Sequence, residues 1–128
     1  MPIPNGNEAA RPFLPTKDLA KSKAFYEALG FTKILDGDVG IFEIGYTGFI
    51  LQALYDEKWA QHTMMQLLVD DLDAWWARIE ALDLPGKFGV PKPKPPAMQP
   101  WGLRIVYLVD PAGILWHIAQ RPAASPSA

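Results

Sequence analysis

The sequence contains no cysteine and only two histidines among its 128 residues. The lack of cysteine excludes a disulfide scaffold, a thiolate zinc site and a cysteine nucleophile. An excess of one charge is also lacking: twelve Lys+Arg against fourteen Asp+Glu give a net charge of -2, which argues against a nucleic-acid-binding protein. No apolar run approaches the roughly 20 residues of a membrane-spanning helix. Residues 1–10 have no basic segment leading into an apolar one, so we expect no secretory signal. These absences predict a cytoplasmic protein that binds neither nucleic acid nor membranes.

The composition is that of a folded domain. Hydrophobic residues make up 49% and charged residues 20% of the chain, which are near the averages for globular proteins. A chain of this length buries about two-thirds of its unfolded surface, which is enough for one core. Two features stand out, namely thirteen prolines and five tryptophans.

Two segments have helical spacing of their apolar residues. Residues 19–29 predict an amphipathic helix, with Asp18 as its N-cap and Gly30 as its stop. Residues 71–82 repeat this pattern. Seven further segments have the short apolar runs and bounding turn residues of strands: 31–35, 39–44, 49–54, 64–69, 87–90, 103–109 and 114–120.

The two predicted helices align at an offset of 53 residues, and so do their capping aspartates, Asp18 and Asp71. With a first strand before each helix, both halves read β-α-β-β-β. We therefore predict an α+β fold of two βαβββ modules that form curved sheets, with helices on one face of each sheet and a cleft on the other. The predicted boundaries are a flexible N-terminus at 1–9, a first module at 10–54, a connector at 55–62, a second module at 63–121 and a flexible tail at 122–128.

Six short motifs, in this order, resemble the vicinal oxygen chelate superfamily, which includes glyoxalases, dioxygenases and bleomycin resistance proteins. The motifs are LPTKDL at 14–19, FYE at 25–27, LGF at 29–31, QPWG at 99–102, DPAG at 110–113 and WHI at 116–118. The last three most resemble the bleomycin-resistance branch. The resemblance implies paired βαβββ modules, a homodimer with two clefts, and in this branch exchange of the N-terminal strands. Pro12 and Pro15 suit an edge or crossing strand because proline cannot donate to a central ladder, although they could also only shape a turn.

The resemblance places four metal-ligand positions at Arg11, Gln52, Met64 and His117. A guanidinium keeps its proton and cannot ligate a cation, and a thioether is a poor ligand for divalent ions of the hard or borderline type. We therefore expect no metal or other cofactor. A shift in the alignment would bring in His62 in place of Met64 and leave open an atypical site of His62, His117 and Gln52.

Period-two alternation assigns the cleft face of each strand. It puts Arg11, Gln52, Met64, Gln66 and His117 in the cleft, a wall of apolar surface with a few polar groups that suits an organic ligand. An acidic partner, an anionic ligand or water must offset the cost of burying the arginine. His117 could also be an inert, hydrogen-bonded residue.

Aromatic residues supply the remaining candidates for ligand contact. Trp101 and Gly102 follow a proline-rich loop and match the Pro-Trp-Gly motif of resistance proteins, where the resemblance implies stacking on a planar drug. Trp101 could instead only seal a dimer edge. Phe42 and Trp59 are weaker candidates.

Three functions remain open at this point. The leading hypothesis is a metal-free dimeric protein that sequesters an aromatic or glycopeptide-like antibiotic, a small-molecule ligand resembling bleomycin. The charge argues against bleomycin itself, because that drug is cationic and a net charge of -2 attracts it weakly. The alternatives are an enzyme of the same superfamily with an atypical metal site and a regulatory protein with a degenerate cleft.

Overall fold

The computed structural model describes residues 2–6 and 8–122, which form two four-stranded sheets and four helices. In chain order the elements are β1 Phe13–Pro15, α1 Leu19–Leu29, β2 Thr32–Asp36, β3 Val39–Ile44, β4 Thr47–Gln52, α2 Glu57–Gln61, β5 Met64–Val69, α3 Leu72–Leu82, α4 Leu84–Phe88, β6 Ala97–Met98, β7 Arg104–Val109 and β8 Leu115–Gln120.

Both sheets have the same topology. Their strand orders are β1-β4-β3-β2 and β5-β8-β7-β6. In each, the first strand of the module pairs in parallel with the last, and the other pairs are antiparallel. The predicted α+β fold of two βαβββ modules is confirmed, and β1 is an edge strand, which is where Pro12 and Pro15 are tolerated.

The two long helices begin where their aspartates predict. The side chain of Asp18 accepts a hydrogen bond from the backbone N–H of Lys21, and Asp71 accepts one from Ala74, each at 3.0 Å. These bonds satisfy donors that the first helical turn leaves unpaired. Helices α1 and α3 are also offset by 53 residues at both ends, so the repeat inferred from sequence is a repeat of structure.

The strand predicted at 87–90 is wrong, because Lys87 and Phe88 belong to the short helix α4 and the next two residues form no strand. Asp83 ends α3 in a left-handed conformation with φ 50° and then caps α4 through Gly86. Pro85 lies in the first turn of α4, where its missing N–H costs nothing. The proline-rich chain that follows is extended, and the edge strand β6 is only two residues long.

One core joins the two modules. Tyr26 of α1 packs its ring within 6 Å of Phe49 on β4 and Trp116 on β8. Phe42 is fully buried in this cluster and stacks on Phe49. The expectation that Phe42 borders the cleft is therefore wrong. Its strand has apolar residues on both faces, and the structure turns Phe42 inward and the neighbouring Ile41 outward.

A buried hydrogen-bond chain crosses this core. The Tyr26 hydroxyl donates to Asp110 Oδ2 at 2.6 Å and accepts from Trp116 Nε1 at 2.9 Å. The other carboxylate oxygen accepts from the backbone N–H groups of Ala112 and Ile114, at 2.9 Å each. Burial raises the pKa of Asp110 above its ordinary value, and burial together with Asp110 raises the pKa of Tyr26. The first module thus fixes the turn before β8 in the second.

The strands of the first module lie within residues 13–52 and those of the second within 64–120, and α2 lies in the segment predicted as the connector, 55–62. The module boundaries themselves stay a prediction. The flexibility expected of 1–9 and 122–128 stays a prediction, and positions 1, 7 and 123–128 lie outside the described residues. Within the described part of the chain, no helix has both the length and the apolarity needed to cross a bilayer.

We expect Tyr26→Phe to lower the free energy of unfolding by about 1–3 kcal/mol, because it leaves Asp110 and Trp116 with unsatisfied buried polar atoms. Urea denaturation followed by tryptophan fluorescence measures this change. Tyr46→Phe is the matched control, because Tyr46 is fully exposed. Equal stabilities for the two variants would contradict the assignment of the hydrogen-bond chain as a link between the modules.

Candidate functional site

A row of three polar side chains crosses the face of the second sheet that points away from the core. His117 on β8 lies directly opposite Gln66 on β5 and Tyr107 on β7. The strand neighbours of this row on the same face are apolar, and they include Met64, Leu68, Val109 and Leu115. A polar row of this kind can orient a ligand by hydrogen bonds, while the apolar residues on either side of the row cover the rings of the ligand.

His117 is the central residue of this row. Its ring meets the ring of Tyr107 edge-on, with centroids 4.8 Å apart at 78°. Its Nε2 is buried without a hydrogen-bond partner, and burial lowers the pKa of His117 below its ordinary value. The imidazole is therefore neutral near pH 7. The role of His117 as a ligand contact stays a prediction, as does the alternative of an inert residue.

Tyr107 was not among the residues that the sequence indicated. The signal was present, because a single hydroxyl-bearing residue interrupts an apolar strand, and alternation puts it on the same face as Ile105 and Val109. The sequence did not reveal the register between β7 and β8, which places Tyr107 directly opposite His117.

Arg11 and Gln52 lie near opposite ends of β4 in the first sheet. Gln52 is the last residue of β4, whereas Arg11 precedes β1 and lies beside Gly48. Arg11 donates to Glu43 on β3 at 2.9 Å, so an acidic partner offsets the cost of burying its charge, while its Nε is buried without a partner. It lies against Gly48, where a Cβ would approach the Phe42 carbonyl oxygen to 2.5 Å. Gln52 is four residues further along β4, about 13 Å away at ~3.3 Å per residue.

A cavity of about 260 Å³ lies where the two modules adjoin. Ala10 and Pro12 line it from the start of the first module, with Gly48 from β4 and Gln66 from β5. The structure therefore brings the surroundings of Arg11 close to the polar row of the second sheet. Gln52 does not line this cavity.

Trp101 lies at the tip of the hairpin between β6 and β7. A tight turn holds it, in which the N–H of Gly102 donates to the carbonyl of Gln99 at 2.9 Å. Gly102 has a φ angle of 92°, a backbone conformation that residues other than glycine rarely adopt. The Trp101 side chain is 60% exposed, and no other ring in residues 2–6 and 8–122 contacts it. The turn thus presents a free indole ring on a rigid backbone.

The other predicted contacts lie apart from this row or at its edge. Trp59 is half-buried in α2, where its carbonyl accepts from the Thr63 hydroxyl. Met64 is 64% exposed at the start of β5, two residues from Gln66. His62 ends α2 and its Nδ1 is bonded to the Lys58 carbonyl at 2.8 Å.

The four metal-ligand positions do not fit a divalent cation. Arg11 brings a positive charge that is already paired with Glu43, and Met64 offers a thioether on an exposed strand start. His62, the possible replacement, is held on α2. Within the described residues, no three histidines, aspartates or glutamates cluster as metal ligands would.

We expect the unfolding free energy to fall as the pH decreases from about 6.5 through the lower pKa of folded His117, because the unfolded chain binds that proton more tightly. Urea denaturation at a series of pH values measures this slope, and His117→Gln should flatten it. His62→Gln removes the other histidine and should leave the slope in place. A slope unchanged by His117→Gln would contradict burial of a neutral imidazole.

Comparison with known proteins bears on what this site does. A bleomycin resistance protein of Klebsiella pneumoniae is 29% identical over 117 residues, which cover 88% of this chain and 92% of the relative. A crystal structure of a bleomycin-binding protein complexed with bleomycin is 29% identical with a TM-score of 0.72, over 91% of this chain and all of the other. The bleomycin-binding protein of Streptomyces verticillus, complexed with copper(II)-bleomycin, is 25% identical with a TM-score of 0.69, over 89% and 96% of the two chains. A family profile matches residues 9–118. The chain belongs to the Glyoxalase/Bleomycin resistance protein/Dioxygenase superfamily.

Proposed function

We propose that this protein binds a bleomycin-like compound and holds it unchanged, so that resistance arises from sequestration. The observation that carries the proposal is the exposed Trp101 on the Gln99–Gly102 turn, in a chain similar over nine-tenths of its length to proteins described as bleomycin-binding. Stacking of an indole on a planar heteroaromatic group contributes about 0.5–1.5 kcal/mol beyond simple burial.

The side chains around the polar row support binding better than catalysis. The row of Gln66, His117 and Tyr107 offers amide, imidazole and hydroxyl groups, all of which can form hydrogen bonds with an organic ligand. Within the described residues His117 forms no hydrogen bond to a carboxylate or to a nucleophile, so the pairing of a nucleophile with an oriented base that marks covalent catalysis is not formed there. The site therefore supplies recognition.

The rigid turn also reduces the entropic cost of binding. Pro100 and the left-handed Gly102 fix the backbone on both sides of Trp101. Because the backbone is already fixed, only the side-chain torsions of Trp101 must be ordered when a ligand stacks on it. This preorganisation supports Trp101 as a ligand contact.

Isothermal titration of metal-free bleomycin into the EDTA-treated protein tests the proposal. We expect one molecule per chain with a Kd in the micromolar range or tighter. Trp101→Ala should weaken binding at least tenfold, and Trp101→Phe should retain part of it because a ring remains. Tyr46→Ala removes a fully exposed aromatic residue from the first module and should bind as the wild type does. An absence of heat with the wild-type protein would reject bleomycin as the ligand.

We further propose a cytoplasmic homodimer whose subunits cover each other's open sheet faces. Large apolar side chains are exposed there, including Phe13 at 51% and Leu68 at 45%. A large exposed apolar patch favours binding of another protein surface. Most oligomers of soluble proteins are symmetric assemblies of identical chains, so the partner proposed here is a second copy of this chain. Exchange of the β1 strands would be one way to build this dimer, because β1 is a short edge strand of three residues.

Sedimentation velocity tests the dimer. We expect the wild type to sediment as a dimer at micromolar concentration and Leu68→Glu to shift it towards monomer, because a charge would be buried without a partner. Glu57→Gln on the exposed surface of α2 is the control and should remain dimeric. A monomeric wild-type protein would contradict the proposal, and a dimer unaffected by Leu68→Glu would place the interface elsewhere.

A further inference from the structure

A second recess lies beside the polar row, under the proline-rich segment that leads into β6. It has a volume of about 350 Å³. Pro91, Val109 and Leu115 form its apolar walls, Tyr107 borders it, and Lys92 and Lys94 lie at its rim. We call it the lysine groove. Tyr107 belongs both to this groove and to the polar row, so the two are continuous.

Neither lysine of the groove is held in an ion pair within residues 2–6 and 8–122. No aspartate or glutamate of the described chain lines the groove. Lys92 also borders a separate recess on the helix side that contains Glu80 and Asp83, so its charge is shared. Lys94, in contrast, lines the lysine groove and not the recess on the helix side.

The sequence keeps this arrangement in place. Lys92 and Lys94 alternate with prolines at 91, 93 and 95, and Pro93 is buried. Proline fixes φ and favours an extended backbone, so the segment holds the backbone of both lysines beside the groove. Their exposed side chains can extend over it.

We propose that the lysine groove receives the anionic substituent of an aromatic ligand, so that this site prefers anionic aromatic molecules over polycations. The proposal rests on the function proposed above only in that the site holds an aromatic ligand, and it specifies the charge that this ligand carries. Apolar walls bury the ring, and the rim attracts a carboxylate or sulfonate. A cationic drug would be bound in spite of this rim and not because of it.

Two fluorescent probes with the same ring system test the preference. 8-Anilinonaphthalene-1-sulfonate carries one negative charge, and N-phenyl-1-naphthylamine is its neutral counterpart. We expect the sulfonate to bind the full-length protein more tightly. Lys94→Gln should weaken sulfonate binding about two- to fivefold, the range for an exposed charge pair, and should leave the neutral probe unchanged. The double variant Lys92→Gln/Lys94→Gln should lose more.

Lys58→Gln is the matched control, because Lys58 is an exposed lysine on α2 outside the groove. It should bind both probes as the wild type does, and circular dichroism should show that all variants are folded. Equal affinity of the wild type for the two probes would overturn the proposal. A sulfonate affinity unchanged by Lys94→Gln, or lowered equally by Lys58→Gln, would also overturn it.

Titration of bleomycin into the same variants separates this proposal from the sequestration proposal. If both are correct, the double variant should bind the cationic drug about two- to fivefold more tightly than the wild type, because a repulsion is removed. No bleomycin binding together with lysine-dependent sulfonate binding would reject the drug and retain the lysine groove. Bleomycin binding that is unchanged or weaker in the double variant would place the drug away from the groove and overturn the link between the two.

Discussion

The hydrogen-bond chain from Asp110 through Tyr26 to Trp116 is the interaction on which the position of the site depends. Tyr26 belongs to the first module, whereas Asp110 and Trp116 flank the turn that begins β8 in the second. His117 is the residue after Trp116. The hydrogen bonds that hold the Trp116 indole in the core therefore also place the His117 imidazole on the opposite face. Because neighbouring strand residues point to opposite faces, the core determines the direction of the side chains on the open face.

The duplicated architecture explains why the candidate site lies on open sheet faces. Each βαβββ module has one long helix, which can cover only one side of four strands. The covered sides of both sheets merge into one aromatic core around Tyr26, Phe49 and Trp116. The other sides retain exposed apolar residues and a few polar ones, and this combination suits an organic ligand or a second subunit. The same surface can serve both, since a cleft between subunits exposes less apolar area than an open sheet.

The candidate site differs chemically from a metal centre. At the four positions where the superfamily places metal ligands, this chain has one cation, one amide, one thioether and one imidazole. Glu43 neutralises Arg11 and leaves no carboxylate free at that position. The polar groups that remain, namely Gln66, Tyr107 and His117, are hydrogen-bonding groups with little net charge. Beside these groups, the lysines of the neighbouring groove bring positive charge.

The sequence by itself determined the elements that depend on local physics. Apolar spacing and capping aspartates located α1 to the residue and α3 to within one residue, and alternation correctly assigned Trp116 to the core and His117 to the open face. The 53-residue offset of the helices gave the duplication. The exception was 87–90, where a left-handed Asp83 and Pro85 form a helical turn that a short apolar run does not reveal.

Only the tertiary structure decided which residues meet. Alternation could not decide which face of β3 carries Phe42, because both faces have apolar residues. Packing against Tyr26 and Phe49 decides it in the folded protein. The pairing of Arg11 with Glu43 and of Tyr107 with His117 depends on strand register, and the lysine groove depends on how the proline segment lies over β7 and β8. Local sequence sets the period of a strand, but the partner across the sheet is chosen by contacts between distant segments, and those contacts form only when the whole core is packed.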